Sequence, residues 1–133
     1  MFDTIKTLLD FGKALFGFKA DLEKAELERR KRIADYLDKI ADSLRDTVAG
    51  FRDNQLPHEA CGALSGYVRS LIEAVSTSIE PEQLEHYSNL LSSAALTRQL
   101  LYEVESAEEK EKALADLELA GGEFRAIANF LRV

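Results

Sequence analysis

Two histidines and one cysteine are the residues of this chain best suited to metal or nucleophile chemistry, and two of the three lie close together. His58 and Cys61 are three positions apart, so on a helix they share a face at the spacing of half a metal site, with Glu59 or His86 as conceivable further ligands. No second local pair completes the set. Glu82 stands four residues before His86, whereas di-iron bundles place a Glu and a His three apart. A cysteine nucleophile would need a base held by a third group and an oxyanion donor, and no stretch of the sequence offers them. Glycine loops of the P-loop or dinucleotide type are absent. The expectation is a first-turn histidine near solvent and a small core cysteine, with no metal, no cofactor and no enzyme activity.

The charged residues point the same way. Lys and Arg number 17 against 24 Asp and Glu, a net charge of −7 that disfavours DNA and anionic bilayers for the molecule as a whole. The run Arg29, Arg30, Lys31, Arg32 is the one candidate phosphate or acidic-partner patch. Asp21, Glu23, Glu26 and Glu28 surround it and no aromatics interleave it, so it reads as a solvated face and not as a nucleic-acid site. A single cysteine allows no internal disulfide. Asp3, Lys6, Asp10 and Lys13 interrupt the apolar N-terminal run, leaving no visible cleavable signal, and no window is apolar enough to span a bilayer. A cytoplasmic protein is the simplest reading.

The elements that would carry these residues are helices. Ile33, Leu37, Ile40, Leu44, Val48 and Phe51 recur at steps of three and four, with Asp35, Asp38, Asp42, Arg45 and Asp46 outside the stripe. Asp53, Asn54 and Gln55 close that helix, and Pro57 can open the next, with Leu64, Val68 or Tyr67, Leu71, Val75 and Ile79 as its core face. Pro81 repeats the device, and Leu84, Tyr87, Leu91, Ala94, Ala95, Leu101 and Val104 mark a further helix to about Glu105, softened at Ser92 and Ser93. Ser106 and Glu109 form a capping box for a last helix from about Ala107, whose apolar side is Leu114, Leu117, Phe124, Ile127 and Leu131. Gly121 and Gly122 can bend that helix or admit a neighbour; one kinked helix is preferred to two. No stretch alternates in the manner of a strand.

Small residues mark a second feature. Gly62 and Gly66, four apart, place two missing side chains on one helical face, which predicts a close helix crossing inside the bundle, or else a self-association surface.

The N-terminal stretch bears most on function. Phe2, Ile5, Leu8, Leu9, Phe11, Leu15, Phe16 and Phe18 sweep an arc of roughly 200° on a helical wheel. So wide an apolar arc docks on something: the chain's own bundle, a partner protein, a second copy or a membrane surface. Lys19 to Arg32 then turns abruptly to charge, with Glu26–Arg30 and Glu28–Arg32 spaced to support a solvated connecting helix that runs into Ile33 without an obvious break.

The run from Arg29 through Ile33-Ala34-Asp35-Tyr36-Leu37, Ile40-Ala41 and Leu44, then Pro57-His58 and Cys61, resembles small helical modules of uncharacterised bacterial proteins. Such modules stand beside effector or sensor domains in conflict and signalling systems. The resemblance implies an adaptor or self-association role with no catalytic residues.

The expected architecture is all-α: an antiparallel bundle of four to five helices over residues 33–133, an amphipathic helix over 1–18 and a charged connector over 19–32. The expected function is a non-enzymatic interaction module that self-associates or binds another protein through Phe2 to Phe18. On that reading the first eighteen residues are dispensable for folding. The alternative is a membrane-active effector whose first helix lies in the bilayer interface.

Overall fold

A computed structural model describes residues 3–91 and 95–132, and those residues form seven helices and no strand. They are α1 (Asp3–Gly17), α2 (Lys19–Glu23), α3 (Leu27–Arg52), α4 (His58–Val75), α5 (Pro81–Leu91), α6 (Ala95–Glu105) and α7 (Lys110–Arg132). The helical class is as expected from periodicity; the number of helices is larger than four to five. Ser92, Ser93 and Ala94, where a soft helix middle was expected, lie outside the described residues.

The long α3 is the axis of the molecule. Its stripe Ile33, Leu37, Ile40, Leu44, Val48 and Phe51 is buried throughout, and so are Ala34, Ala41, Ser43 and Thr47 on its two edges. Two neighbours cover it. Arg29 meets Ala74 of α4 and Thr47 meets Cys61, so α4 runs antiparallel to α3. Asp35 meets Arg132 and Asp42 meets Arg125, so α7 is antiparallel to it as well. The α3–α4 turn is tight. Asn54 takes a positive φ of 59°, a conformation asparagine tolerates. A Cβ on Gly50 would stand 2.8 Å from the Pro57 ring.

The two prolines stand at helix starts as the sequence suggests, with Pro57 just before α4 and Pro81 as the first residue of α5. The expected capping box at Ser106 does not form. Its hydroxyl donates back to the Tyr102 carbonyl at 2.6 Å, and α7 starts three residues later than expected, with the Glu109 carbonyl accepting from the Lys112 and Ala113 amides. Across Gly121 and Gly122 the helix is continuous, in line with one helix over two.

The segments expected over 1–18, 19–32 and 33–133 share one apolar core among the described residues. Helix α1 lies on α7, α5 and α6, and Ile5, Leu8, Phe11 and Leu15 belong to the same apolar core as α3 and α7. Gly12 meets Glu123, and Lys19 reaches Phe130, so α1 runs parallel to α7. Phe11 is the hub: its ring lies 6.0 Å from Phe124 edge-on and 4.9 Å from Tyr87. The helix is broken before the expected solvated connector, at Phe18, and within it over Lys24 to Glu26, and between the breaks Leu22 is fully buried. Periodicity shows how wide an apolar arc is, but not which remote helices will cover it.

One carboxylate secures the start of α1. Glu103, on α6 and buried, accepts from the Thr4 amide at 2.9 and 3.0 Å and from the Ile5 amide at 3.3 Å. These amides have no partner within their own helix, and the N-terminal end of the helix dipole favours an anion there. Glu103→Ala, which strands both amides in a buried setting, is expected to cost about 1–3 kcal/mol in urea unfolding, seen as a lower midpoint at unchanged slope. Removing residues 1–17 takes Ile5, Leu8, Phe11 and Leu15 from the core, worth roughly 6–12 kcal/mol at about 1.5–3 each, comparable to the whole stability of a domain. The truncated chain is expected to lose its cooperative transition, the opposite of what a dispensable extension would show.

Candidate interaction site

The apolar residues expected to form a docking face are largely enclosed. Ile5, Leu8, Phe11 and Leu15 are buried, Leu9 and Phe18 are partly buried against the core, and of the eight only Phe16 is seen to face solvent, at 51% exposure. Phe2 lies outside the described residues. Within one chain the Ile5, Leu8, Phe11 and Leu15 face is covered by α5, α6 and α7. What remains on the surface is a small apolar pocket of about 280 Å³ between α1 and α7, lined by Lys13, Phe16, Glu123 and Ala126.

Gly62 and Gly66 do not stand at a helix crossing within the chain among the described residues. Both are exposed on α4, and a Cβ on either would meet nothing within 4 Å. The close helix approaches occur at other glycines. Gly12 faces the Glu123 carboxylate, with 2.7 Å between a Cβ there and Oε2, and Gly121 lies against Leu44 and the Ala41 carbonyl of α3. Two small residues four apart on one face signal a crossing only when that face is turned inward.

The residues singled out for chemistry are separated by burial. His58 is exposed at the start of α4, while Cys61 is fully buried, its Sγ 3.8 Å from the Thr47 hydroxyl. Burial pushes the Cys61 thiol up, against a smaller opposing effect of the Thr47 contact, so it is held as a neutral thiol. Among the described residues no group of three or more His, Cys, Asp or Glu side chains is arranged to hold a metal ion. The basic run is divided by its helix. Arg29 donates through Nε and Nη2 to the Ala74 carbonyl and also bonds Thr77, closing the C-terminal end of α4. Arg30 turns towards the Glu23 carbonyl at the end of α2, at 3.5 Å, and Lys31 and Arg32 are exposed.

Between α3 and α7 lies a furrow of about 560 Å³. Its lining on α3 is Ala41, Leu44, Arg45, Val48, Ala49 and Arg52, one stripe of about three turns. The α7 lining is Leu117, Glu118, Gly121, Gly122 and Arg125. Gly121 brings the two helices together, and Gly122, with open space beyond it, leaves the furrow unfilled. The floor is apolar and small; the rim holds three arginines against the carboxylates of Asp53 and Glu118.

Ion pairs fix both ends. Arg125 donates to Asp38 at 3.0 Å and to Asp42 at 2.6 Å, and Arg132 continues the series to Asp35 and Asp38. At the other end Arg52 bridges to Glu111 and Glu118. The Arg125 guanidinium holds the Asp42 carboxyl below its ordinary range, against an opposing effect of burial. Arg45 is held more loosely, 3.6 Å from Asp42 and 3.5 Å from Asp46, and is 69% exposed. The sequence carries a signal for this arrangement. Asp35, Asp38 and Asp42 flank the α3 stripe, and Arg125 and Arg132, seven apart, flank that of α7, the placement by which paired helices set their register.

No protein-family model, curated protein or solved structure matches the chain.

Two sets of variants check these placements. Gly62→Ala and Gly66→Ala, in open helical positions, are each expected to raise stability by up to about 1 kcal/mol, whereas Gly50→Ala is expected to lower it by forcing Pro57 aside. Acid titration checks the ion pairs. A carboxylate whose folded pKa is depressed contributes stability that is complete above its unfolded value and lost as pH falls through the folded one. Stability is therefore expected to drop as pH falls below the ordinary Asp42 value of 3.8, and Asp42→Asn is expected to flatten that part of the curve.

Proposed function

We propose that the chain is a non-enzymatic helical interaction module, and that its contact surface is the α3–α7 furrow, which takes an acidic amphipathic helix. The observation that carries this reading is the unfilled space over Gly122 and Ala49, between a stripe of apolar floor and a rim of Arg45, Arg52 and Arg125. A helix entering a groove of this form needs apolar side chains at i, i+3, i+4 and i+7, and carboxylates beside them that share Arg45 and Arg52 with their own partners Asp42, Asp46, Glu111 and Glu118.

The surface assigned is not the one the sequence suggested, because α1 fills its own seat. The membrane-active alternative requires α1 to leave the core and expose Phe11 and Leu15.

The test uses a designed fourteen-residue helix with leucines at that spacing and flanking glutamates, and a scrambled peptide of equal composition. Methyl shifts of Leu44, Val48 and Leu117 are expected to move with the designed helix alone. Gly122→Leu is expected to raise stability by roughly 0.8 kcal/mol through helix propensity while filling the furrow and weakening binding at least tenfold. Equal shifts with the scrambled peptide, or shifts centred away from α3 and α7, would contradict the assignment.

A further inference from the structure

Helices α1 and α2 reach across the molecule. Their seat is built from α5, α6 and α7, and neither shares an extensive contact with α3 or α4. The cap on Thr4 comes from Glu103, ninety-nine residues away. A terminal segment whose packing is all with remote parts of the chain can be supplied to that seat by another copy without changing a single contact of the seat.

The hinge supports the same conclusion. Lys24, Ala25 and Glu26 interrupt the helix between α2 and α3, yet none is a helix breaker, and Glu26 and Glu28 stand four residues before Arg30 and Arg32 in the favourable order. The local sequence favours one helix from Lys19 into α3. The break is imposed by the docking of α1 and α2 on their own body, a conflict between local and tertiary preference. The docked segment also meets both of the buried side-chain atoms that lack a partner among the described residues. Glu123 Oε2 lies against Gly12 of α1, and Arg30 Nε belongs to the side chain that reaches Glu23 of α2.

We infer that two copies of this chain exchange α1 and α2. The hinge at Lys24 to Glu26 straightens, α2 and α3 become one helix, and α1 of each copy occupies the α5–α6–α7 seat of the other. Ile5, Leu8, Phe11 and Leu15 then dock on a second copy through the same contacts they make within one chain. The surface is distinct from the α3–α7 furrow, so exchange and peptide binding are separable. Because the seat must be vacated first, exchange is expected on refolding at high concentration and not on simple mixing of folded protein.

The experiment compares the full chain with Glu26→Pro. Glu26 has φ −56° and ψ 150°, which proline adopts, and no backbone hydrogen bond is donated by its amide among the described residues. In a straightened helix the same proline is disruptive. After refolding at high concentration, the unsubstituted chain is expected to yield a separable dimer by light scattering. Glu26→Pro is expected to lower the dimerisation constant at least about a hundredfold with the monomer fold intact. Insertion of Gly-Gly between Ala25 and Glu26, which also disfavours the straight helix, is expected to act in the same direction and serves if the proline variant fails to fold. A benzophenone amino acid in place of Phe16, which stands beside Ala126, is expected to cross-link chain to chain in the dimer and within the chain in the monomer. A chain that stays monomeric after concentrated refolding, folded hinge variants that dimerise as well as the parent, or dimers cross-linked only within each chain would overturn the inference.

Discussion

The fold depends on the enclosure of one apolar stripe, the Ile5–Leu8–Phe11–Leu15 face of α1, by helices from the far end of the chain. Each of those side chains is essentially without solvent exposure, and Phe11 joins three helices through its contacts with Tyr87 and Phe124. Bringing residues so distant in sequence together costs loop-closure entropy, and the burial of four large side chains is of the size needed to offset it. The Glu103 cap then satisfies the amides that this burial would strand. Without α1, α5 and α6 would keep their packing on α4 but lose the cover on their other side, and α7 would be covered on its α3 side while its α1 side stood open.

Around this constraint the polar residues act mainly as register marks. The pairs of Arg125 and Arg132 with Asp35, Asp38 and Asp42 are partly exposed, so each contributes little to stability, but together they admit only one sliding position of α7 on α3. That position sets Gly121 against Leu44 and leaves Gly122 facing out. The furrow is thus a consequence of the register: one glycine lets the helices touch, and the next leaves the gap. Arg29 and Arg30, which look like a basic patch in sequence, serve the ends of α4 and α2.

Much of the helical framework is legible in the sequence, because steps of three and four and two prolines are local signals. The α3 stripe, the starts of α4 and α5 and the unbroken passage of α7 through Gly121 and Gly122 all follow from them. What is not legible depends on partners remote in sequence. The hinge at Lys24 to Glu26 has no breaker residue, and Leu22 looks like an isolated apolar residue in a charged run until it meets α7. Ser106 and Glu109 satisfy the pattern of a cap, but the Tyr102 carbonyl competes for the serine hydroxyl and takes it. Gly62 and Gly66 are indistinguishable in sequence from packing glycines; only the orientation of α4 shows that nothing lies over them. The furrow is not legible as such, since its rim brings Arg45 and Arg52 of α3 to Glu118 and Arg125 of α7, remote in the chain.

Whether α1 is a member of the core or an appendage is read by native-state hydrogen exchange. In a single cooperative unit the amides of Leu8 to Phe11 open with the same free energy as those at the centres of α3 and α7, and the same dependence on denaturant. That equality is expected for α1 as part of the core. Exchange of the α1 amides several orders of magnitude faster than those of α3 and α7, with little dependence on denaturant, would show a loosely held extension and contradict it.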